Sequence, residues 1–285
     1  MSSRLHTLYE FIKFEHTLFA LPFAFLGAAL AAGGWPGART TAWVTLAMVG
    51  ARSTAMAFNR IADLRYDALN PRTVNRPLVS GTLSLPSAWF FLAASALLFI
   101  ASAAMLNRLA FWLSWPALVI VLGYSLTKRF TSTTHLFLGL ALGIAPVGGW
   151  VAVRGTIDMA PLLLALAVLC WTAGFDIIYA CQDVRFDEKV GLHSLPRRLG
   201  IVSALRVSTA LHMAMIGLLV WVGVLCGRSL LFAAGIVLVG IILWIEHSLV
   251  RPDDLSRVNA AFFTANGWLS VGFFVLTALD LAIYP

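Results

Sequence analysis

The chain has 285 residues, of which 60% are hydrophobic and only 12% are charged, and its formal net charge at pH 7 is +7. Ordinary soluble domains carry about 25% charged residues, so the composition excludes a soluble globular protein and indicates an integral membrane protein. The basic residues lie at the ends of apolar segments, a distribution that argues against nucleic-acid binding.

Nine apolar segments follow one another along the chain, and each has roughly the length that a membrane-spanning helix needs. They lack the alternation over about ten residues that marks the strands of a membrane barrel. The sequence therefore predicts an all-α integral membrane bundle of about nine transmembrane helices, in one polytopic domain over residues 1–285. The predicted spans are 15–34, 41–62, 86–106, 109–126, 135–153, 160–182, 201–226, 229–250 and 259–283.

Basic residues are concentrated on one side of this predicted bundle. Fourteen of the twenty Lys and Arg residues lie in the amino-terminal segment or near the loops after spans 2, 4, 6 and 8, and four lie on the opposite side. The positive-inside rule then predicts that the amino terminus and the two long polar loops, 63–85 and 183–200, are cytoplasmic. We expect a multi-pass protein of the cell (inner) membrane, in contact with the lipid bilayer.

Span 2 carries a stripe of polar side chains on one helical face. Arg52, Met56, Asn59, Asp63 and Asp67 are separated by steps of four, three, four and four residues, the spacing of neighbours on a helix surface. A charged side chain facing lipid at the centre of a bilayer costs about 2.5–3.5 kcal/mol on insertion scales. The stripe is therefore expected to face a central cavity that opens on the cytoplasmic side.

Span 6 repeats this pattern with Asp176, Tyr179, Asp183 and Asp187. Asp176 lies inside an apolar run and needs a partner, for which a buried arginine such as Arg52 is one candidate. If spans 2 and 6 occupy equivalent positions around the bundle, their acid pairs face each other. Several converging carboxylates repel one another unless a cation lies between them, and Mg²⁺ prefers such oxygen ligands together with water and phosphate oxygens.

Other polar side chains are expected at the same level of the membrane. Tyr124 and Lys128 are four residues apart at the end of span 4, and Arg72 and Arg76 follow the first acid pair. A hydroxyl group and several cations at this depth are suited to holding a phosphate and to stabilising a departing diphosphate.

These residues resemble the motifs of a known family, the UbiA superfamily of intramembrane aromatic prenyltransferases. The segment from Asn59 to Asp67 is similar to its NxxxDxxxD motif, the segment from Asp176 to Asp187 resembles its second acidic motif, and Tyr124 with Lys128 matches its YxxxK element. The resemblance is greatest to the 4-hydroxybenzoate polyprenyltransferase branch, which includes relatives in menaquinone synthesis. One departure is Arg60, where the family often has Asp, but this position lies off the stripe and no loss of activity is expected.

The resemblance implies a reaction and a role for each residue. The substrates would be a polyprenyl diphosphate and an aromatic acid such as 4-hydroxybenzoate, in quinone biosynthesis. The resemblance implies Mg²⁺ held by carboxylates, a diphosphate held by cations and a hydroxyl group, and an acceptor held deeper in the cavity. The metal ligands would be Asp63, Asp67, Asp183 and Asp187 with Asn59; the diphosphate ligands Tyr124, Lys128, Arg72 and Arg76; and the acceptor ligands Arg52 and Asp176, the last orienting the acceptor or assisting proton removal. Asn59 and Tyr179 are also expected to bind substrate.

Several alternatives stay open at this point. A naphthoate-type acceptor of menaquinone biosynthesis would also offer a carboxylate and an activated ring. A membrane transporter with an acidic cytoplasmic site is the alternative from another class, and a prenyl diphosphate hydrolase or lyase is a third. Prenyl chain length, oligomeric state and any contribution of Lys13, His16, His193 or Arg198 are likewise left open.

Overall fold

The computed structural model of the chain describes Thr7, Phe11 and residues 17–284. Lys13 and His16 lie outside the described residues. Within the described part of the chain every regular element is helical, so the prediction of an all-α bundle is confirmed.

Nine long helices match the nine predicted segments in the described part of the chain. Seven of them, α3 to α9, are long and apolar enough to cross a membrane. The described part of α1 is short, and α2 carries the stripe of polar residues, so the exact number of nine spans stays a prediction. The helices are α1 Thr17–Ala32, α2 Ala38–Ala62, α3 Leu85–Leu106, α4 Arg108–Thr127, α5 Thr134–Arg154, α6 Met159–Ala180, α7 Ile201–Leu225, α8 Leu230–Leu249 and α9 Val258–Ile283.

Short helical segments continue both acid-bearing helices into their loops. Leu64–Asp67 follows α2, while a 3₁₀ turn Cys181–Asp183 and a helix Val184–Val190 follow α6. A further short helix, Leu195–Leu199, precedes α7. Each acid pair therefore lies just beyond the end of a long helix. Asp63 is the turn residue between α2 and Leu64–Asp67, and the other three acids lie on short helical segments.

The boundary between α3 and α4 is set by Asn107. Its Oδ1 accepts a hydrogen bond from the Ala110 backbone N–H at 2.9 Å, which caps the start of α4. Its Nδ2 donates to the Val151 carbonyl of α5 at 2.7 Å. One side chain thus begins α4 and attaches this corner to α5, against which α4 packs.

Helices α1 and α5 cross in close contact, and glycines make this possible. A Cβ atom added at Gly149 would lie 1.9 Å from the carbonyl oxygen of Ala24, and one added at Gly27 would lie 2.1 Å from that of Pro146. Small residues allow such an approach of two backbones in membrane bundles. α5 also packs against α4 and α6, so it is a central helix from which the site is built.

A buried polar network fixes the start of α9. Asn266 accepts a hydrogen bond from Trp171 Nε1 at 2.7 Å and donates to Glu246 Oε1 at 3.1 Å. Its amide also donates to the carbonyl of Phe262 at 3.0 Å, within the π-helical turn Ala261–Ala265. The turn presents Phe262 to the Tyr179 ring with a centroid distance of 4.4 Å, and it thereby completes one wall of the cavity described next.

Candidate active site

A cavity of about 310 Å³ lies between the ends of α2, α4 and α6 and the start of α5. It brings together nearly all side chains of the predicted site, with the two acidic motifs on different walls. Of the twelve predicted site residues, eleven line the cavity, and Asp187 lies behind the wall in contact with Lys128. The eleven lining residues are Arg52, Asn59, Asp63, Asp67, Arg72, Arg76, Tyr124, Lys128, Asp176, Tyr179 and Asp183.

The first acidic motif is held by its own helix and by the loop that follows it. Asn59 Nδ2 donates to Asp63 Oδ2 at 3.1 Å, one helical turn away. Arg76 Nη1 lies 2.6 Å from both carboxylate oxygens of Asp67. Thr73 Oγ1 donates to the Asp67 carbonyl at 2.9 Å, so the loop turns back over the motif and brings Arg76 to its acid.

Arg72 connects the two motifs across the cavity. Its Nη2 donates to Asp183 Oδ2 at 2.7 Å and its Nη1 donates to the Tyr179 hydroxyl at 3.0 Å. The guanidinium carbon lies 5.3 Å from the centroid of the Tyr179 ring. A residue of the first loop is thus an ion-pair partner of the second motif, and this brings the tips of α2 and α6 to one site.

Lys128 and Asp187 form the most deeply buried ion pair of the site. Lys128 Nζ lies 2.8 Å from Asp187 Oδ1, and the Asp187 side chain has no exposed surface. Apart from this ion pair, neither carboxylate oxygen of Asp187 has a hydrogen-bond partner among the described residues. The carboxylate therefore has unused capacity to accept a ligand, although its charge is balanced by the ammonium.

Asp63 is electrostatically distinct from the other acids. Burial, with the nearby Asp67 carboxylate adding to it, raises the pKa of Asp63 to about 6, against the opposing effect of Arg129 and Lys128. Arg129 Nη2 lies 3.8 Å from Asp63 Oδ1. Asp63 is thus ionised at neutral pH, and within the described part of the chain no cation lies in close contact with it, as expected of a carboxylate placed to receive a cation.

Arg52 lies at the deep end of the cavity. It is seven residues before Asn59 on α2, which is about 10 Å along the helix axis. Its Nε is buried and has no hydrogen-bond partner among the described residues. Arg52 and Tyr124 also line a second, apolar cavity of about 320 Å³, which is enclosed mainly by α2, α4 and α5, so polar and apolar spaces adjoin at this level.

Asp176 is paired differently from the sequence-based expectation. Its partner is His135 of α5, whose Nδ1 lies 2.6 Å from Asp176 Oδ2, and not a buried arginine such as Arg52. No local pattern identifies His135, because it is 41 residues away in sequence and only the packing of α5 on α6 joins the two.

Two arginines that the sequence analysis did not assign to the site also reach the cavity. Arg129 lines it and approaches Asp63. Arg60 lies off the stripe on a helical wheel, yet it is buried and lines the cavity as well. The cavity is wider than one helical face, which explains why a single stripe underestimates its lining.

The oxygen donors of the cavity meet the needs of a divalent cation in part. Within the described residues, no three carboxylate, imidazole or thiol groups lie close enough together to share one ion. Mg²⁺ is usually held by only one or two carboxylates, with water and phosphate oxygens completing its coordination. The hard oxygen donors of the two motifs fit that mode of binding, and so does Asp63, whose ion pair with Arg129 is a long one of 3.8 Å.

Comparison with known proteins gives consistent matches. Residues 20–270 match the UbiA prenyltransferase family. The 4-hydroxybenzoate octaprenyltransferase of Aromatoleum aromaticum is 31% identical over 256 residues, covering 90% of this chain and 86% of the relative. The enzyme of the same name from an Azoarcus species is 32% identical over 254 residues, covering 89% and 88%.

Solved structures show the same fold. A UbiA homologue from Aeropyrum pernix superposes with a TM-score of 0.81 at 34% identity, covering 94% of this chain and 98% of that one. A homologue from Archaeoglobus fulgidus, solved with GPP and Mg²⁺, superposes with a TM-score of 0.78 at 22% identity, covering 97% and 99%. At this lower identity the second match supports the fold alone.

Proposed function

Because the chain belongs to the UbiA prenyltransferase family and is therefore a membrane prenyltransferase, we propose that it transfers the prenyl group of a polyprenyl diphosphate to a 4-hydroxybenzoate-like aromatic acid. The observation that carries this proposal is the layering of the cavity. Acids and cations meet near the helix ends, aromatic rings follow, and Arg52 lies deepest, with a buried Nε that has no hydrogen-bond partner among the described residues. This order matches a diphosphate, an allylic carbon and an aromatic carboxylate.

The acidic end suits a metal-bound diphosphate, as the ligands of the Archaeoglobus homologue suggest. Asp63, Asp67, Asp183 and Asp187, with Asn59, are the residues that would hold Mg²⁺. When bound, the ion would neutralise charge on the diphosphate and make it a better leaving group.

The cations of the site then hold the diphosphate itself. Arg72, Arg76 and Lys128 are each ion-paired with an acid of the two motifs, so they are already aimed at the space between the motifs. With the Tyr124 hydroxyl they donate to phosphate oxygens as the carbon–oxygen bond breaks and the departing diphosphate keeps the electron pair. Their charges stabilise the anion that forms.

The allylic cation left behind is sheltered by aromatic rings. Phe175, Tyr179 and Phe262 line the same cavity and contact one another, with centroid distances of 5.2 Å and 4.4 Å from Phe262. Aromatic faces attract a cation, and apolar rings exclude the water that would otherwise capture it. The aromatic wall thus favours transfer over hydrolysis.

The acceptor binds on the deep side of this wall. Arg52 donates to the carboxylate of the aromatic acid and aims its electron-rich ring at the allylic carbon. The ring carbon supplies the electron pair of the new carbon–carbon bond, and Asp176 then accepts the proton lost from that carbon. The apolar cavity beside Arg52 offers space for the prenyl tail.

The location of the protein and a second possible acceptor belong to the same proposal. The basic loops favour a multi-pass protein of the cell membrane with the site on the cytoplasmic side. A naphthoate-type acid is the alternative acceptor, because it offers Arg52 the same carboxylate. An acceptor panel separates the two.

The test is an assay of membranes containing the protein. They are incubated with labelled polyprenyl diphosphate, Mg²⁺ and one of a panel of hydroxybenzoic and naphthoic acids. A labelled, lipid-soluble conjugate formed only with a hydroxybenzoic acid supports the proposal. A conjugate formed only with a naphthoic acid would show that the acceptor is of the naphthoate type. Free prenyl alcohol without conjugate indicates a hydrolase, and label retained inside vesicles without conversion indicates a transporter; either result would overturn the proposal.

A further inference from the structure

His135 is a buried imidazole with both ring nitrogens in use. It lies in the first turn of α5, is 3% exposed and forms part of the cavity wall. On one side its Nδ1 lies 2.6 Å from Asp176 Oδ2, and on the other its Nε2 lies 3.3 Å from the backbone nitrogen of Leu195. It therefore joins the candidate acceptor site to the loop that follows the second acidic motif.

The Leu195 contact fixes where the imidazole carries its proton. A backbone N–H can only donate, so Nε2 of His135 must accept and be unprotonated. The proton of the neutral ring then lies on Nδ1 and is donated to Asp176. The charge-assisted hydrogen bond fixes the orientation of the carboxylate, which leaves the second oxygen of Asp176 available to the cavity.

Asp176 differs from the acids of the two motifs in its surroundings. Among the described residues it is in no ion pair with a lysine or arginine, and its one charged-pair contact is His135. It lies seven residues before Asp183 on α6, which places it about two helical turns deeper. A carboxylate at this depth without a permanent cation is suited to accepting a proton.

We propose that His135 is a positioning residue that holds Asp176 as the proton acceptor for the aromatic ring, with its tautomer set by the docked Leu195 backbone. This rests on the proposed function and deepens it. After the carbon–carbon bond forms, the electron pair of the ring C–H bond returns to the ring and the proton passes to the free oxygen of Asp176. His135 keeps its Nδ1 proton throughout and stays neutral.

The loop that contains Leu195 also connects His135 to the residues proposed to hold the diphosphate. The backbone N–H of His193 donates to the Lys128 carbonyl at 2.8 Å, and Arg198 Nη1 donates to Ser132 Oγ at 3.2 Å. Lys128 is also the partner of Asp187. The same docked loop therefore contacts a residue of the leaving-group site and orders the imidazole that orients Asp176.

Two substitutions separate the two hydrogen bonds of His135. In His135→Asn the side-chain amide replaces Nδ1 and can still donate to Asp176, whereas in His135→Gln the polar group replaces Nε2 and serves Leu195 instead. His193→Asn is the matched control, because this side chain is exposed. Each variant is assayed for kcat, for KM of both substrates and for the isotope effect with ring-deuterated 4-hydroxybenzoate.

The proposal expects His135→Gln to lower kcat by about 100-fold, the lower end of what general base catalysis contributes, with little change in either KM. Its isotope effect should rise clearly above the wild-type value, because proton removal becomes slow. His135→Asn should recover most of kcat and a wild-type isotope effect, and His193→Asn should match the wild type.

Equal losses in His135→Asn and His135→Gln, or a loss in His135→Gln without an increased isotope effect, would overturn the inference and leave His135 a structural residue. If His135→Gln fails to accumulate in membranes, the His135→Asn variant decides alone: a raised isotope effect there contradicts the proposal. A wild-type protein that forms no prenylated acid would contradict the proposed function itself, so the two failures are distinguishable.

Discussion

Replacement of Arg52 by alanine tests the deep end of the site most directly. The Nε of Arg52 is buried without a hydrogen-bond partner among the described residues, so an aromatic carboxylate would supply a partner that the protein does not. A hydrogen bond to a charged group contributes about 1.5–3 kcal/mol, which corresponds to about a 10- to 150-fold change in affinity. We expect Arg52→Ala to raise KM for 4-hydroxybenzoate by about this factor and to leave KM for the prenyl diphosphate nearly unchanged.

A cycle of two enzymes and two acceptors isolates the charge interaction. Wild type and Arg52→Ala are each assayed with 4-hydroxybenzoate and with its neutral amide, and the coupling free energy follows from the four values of kcat/KM. Met56→Ala is the control, because Met56 lies one helical turn from Arg52 and lines the same cavity without a charge. It should affect acid and amide alike.

A decrease of kcat/KM by the same factor for acid and amide in Arg52→Ala would refute this role, since Arg52 would then not recognise the carboxylate. A rise of KM for the prenyl diphosphate as large as that for the acid would also refute it. That second result would assign Arg52 to the donor instead.

Three further predictions concern the acids, the pH dependence and a helix crossing. Asp63→Asn and Asp183→Asn are each expected to abolish transfer while the protein still inserts, because a neutral amide is a poor replacement for an anionic ligand; near-normal turnover by both variants would remove the metal assignment. Burial raises the pKa of Asp63 to about 6, so the carboxyl is protonated below that pH and its proton competes with Mg²⁺. The apparent affinity for Mg²⁺ should fall about tenfold per pH unit below the pKa and level off above it, and a constant Mg²⁺ requirement on both sides of the pKa would contradict this. Gly149→Ala should lower the free energy of unfolding by about 1–3 kcal/mol, because its Cβ would lie 1.9 Å from the Ala24 carbonyl oxygen. The control Gly148→Ala meets nothing within 4 Å, and identical thermal midpoints for the two variants would argue against the tight crossing.

The long helices could be predicted from sequence because hydrophobic length alone specifies them. The predicted span 86–106 is found as Leu85–Leu106, and 229–250 is found as Leu230–Leu249. The π-helical turn Ala261–Ala265 in α9 was not predictable, since no Gly or Pro marks it. Its carbonyls accept from Asn266, which is itself held by Glu246 and Trp171, so it depends on three helices.

In the candidate site, too, some residues could be predicted from sequence and others could not. Helical spacing placed Asp63 and Asp183 on faces that the structure turns toward one cavity. His135 was not predicted as a site residue because only the packing of α5 against α6 brings it to Asp176. Arg60 was not assigned to the site because a helical wheel does not describe the width of a cavity. Periodicity thus finds residues that share a helix face, whereas partners on separate helices require the fold.

The ion pairs of the site have a consequence for how the protein tolerates metal depletion. Arg72, Arg76 and Lys128 each offset the charge of an acid from the two motifs. Many small metalloproteins unfold when a chelator removes their ion, because metal binding supplies much of their folding free energy. Here arginine and lysine side chains of the protein itself balance the charges of the acids. Treatment with EDTA should therefore abolish turnover and leave the bundle folded, and readdition of Mg²⁺ should restore activity without refolding.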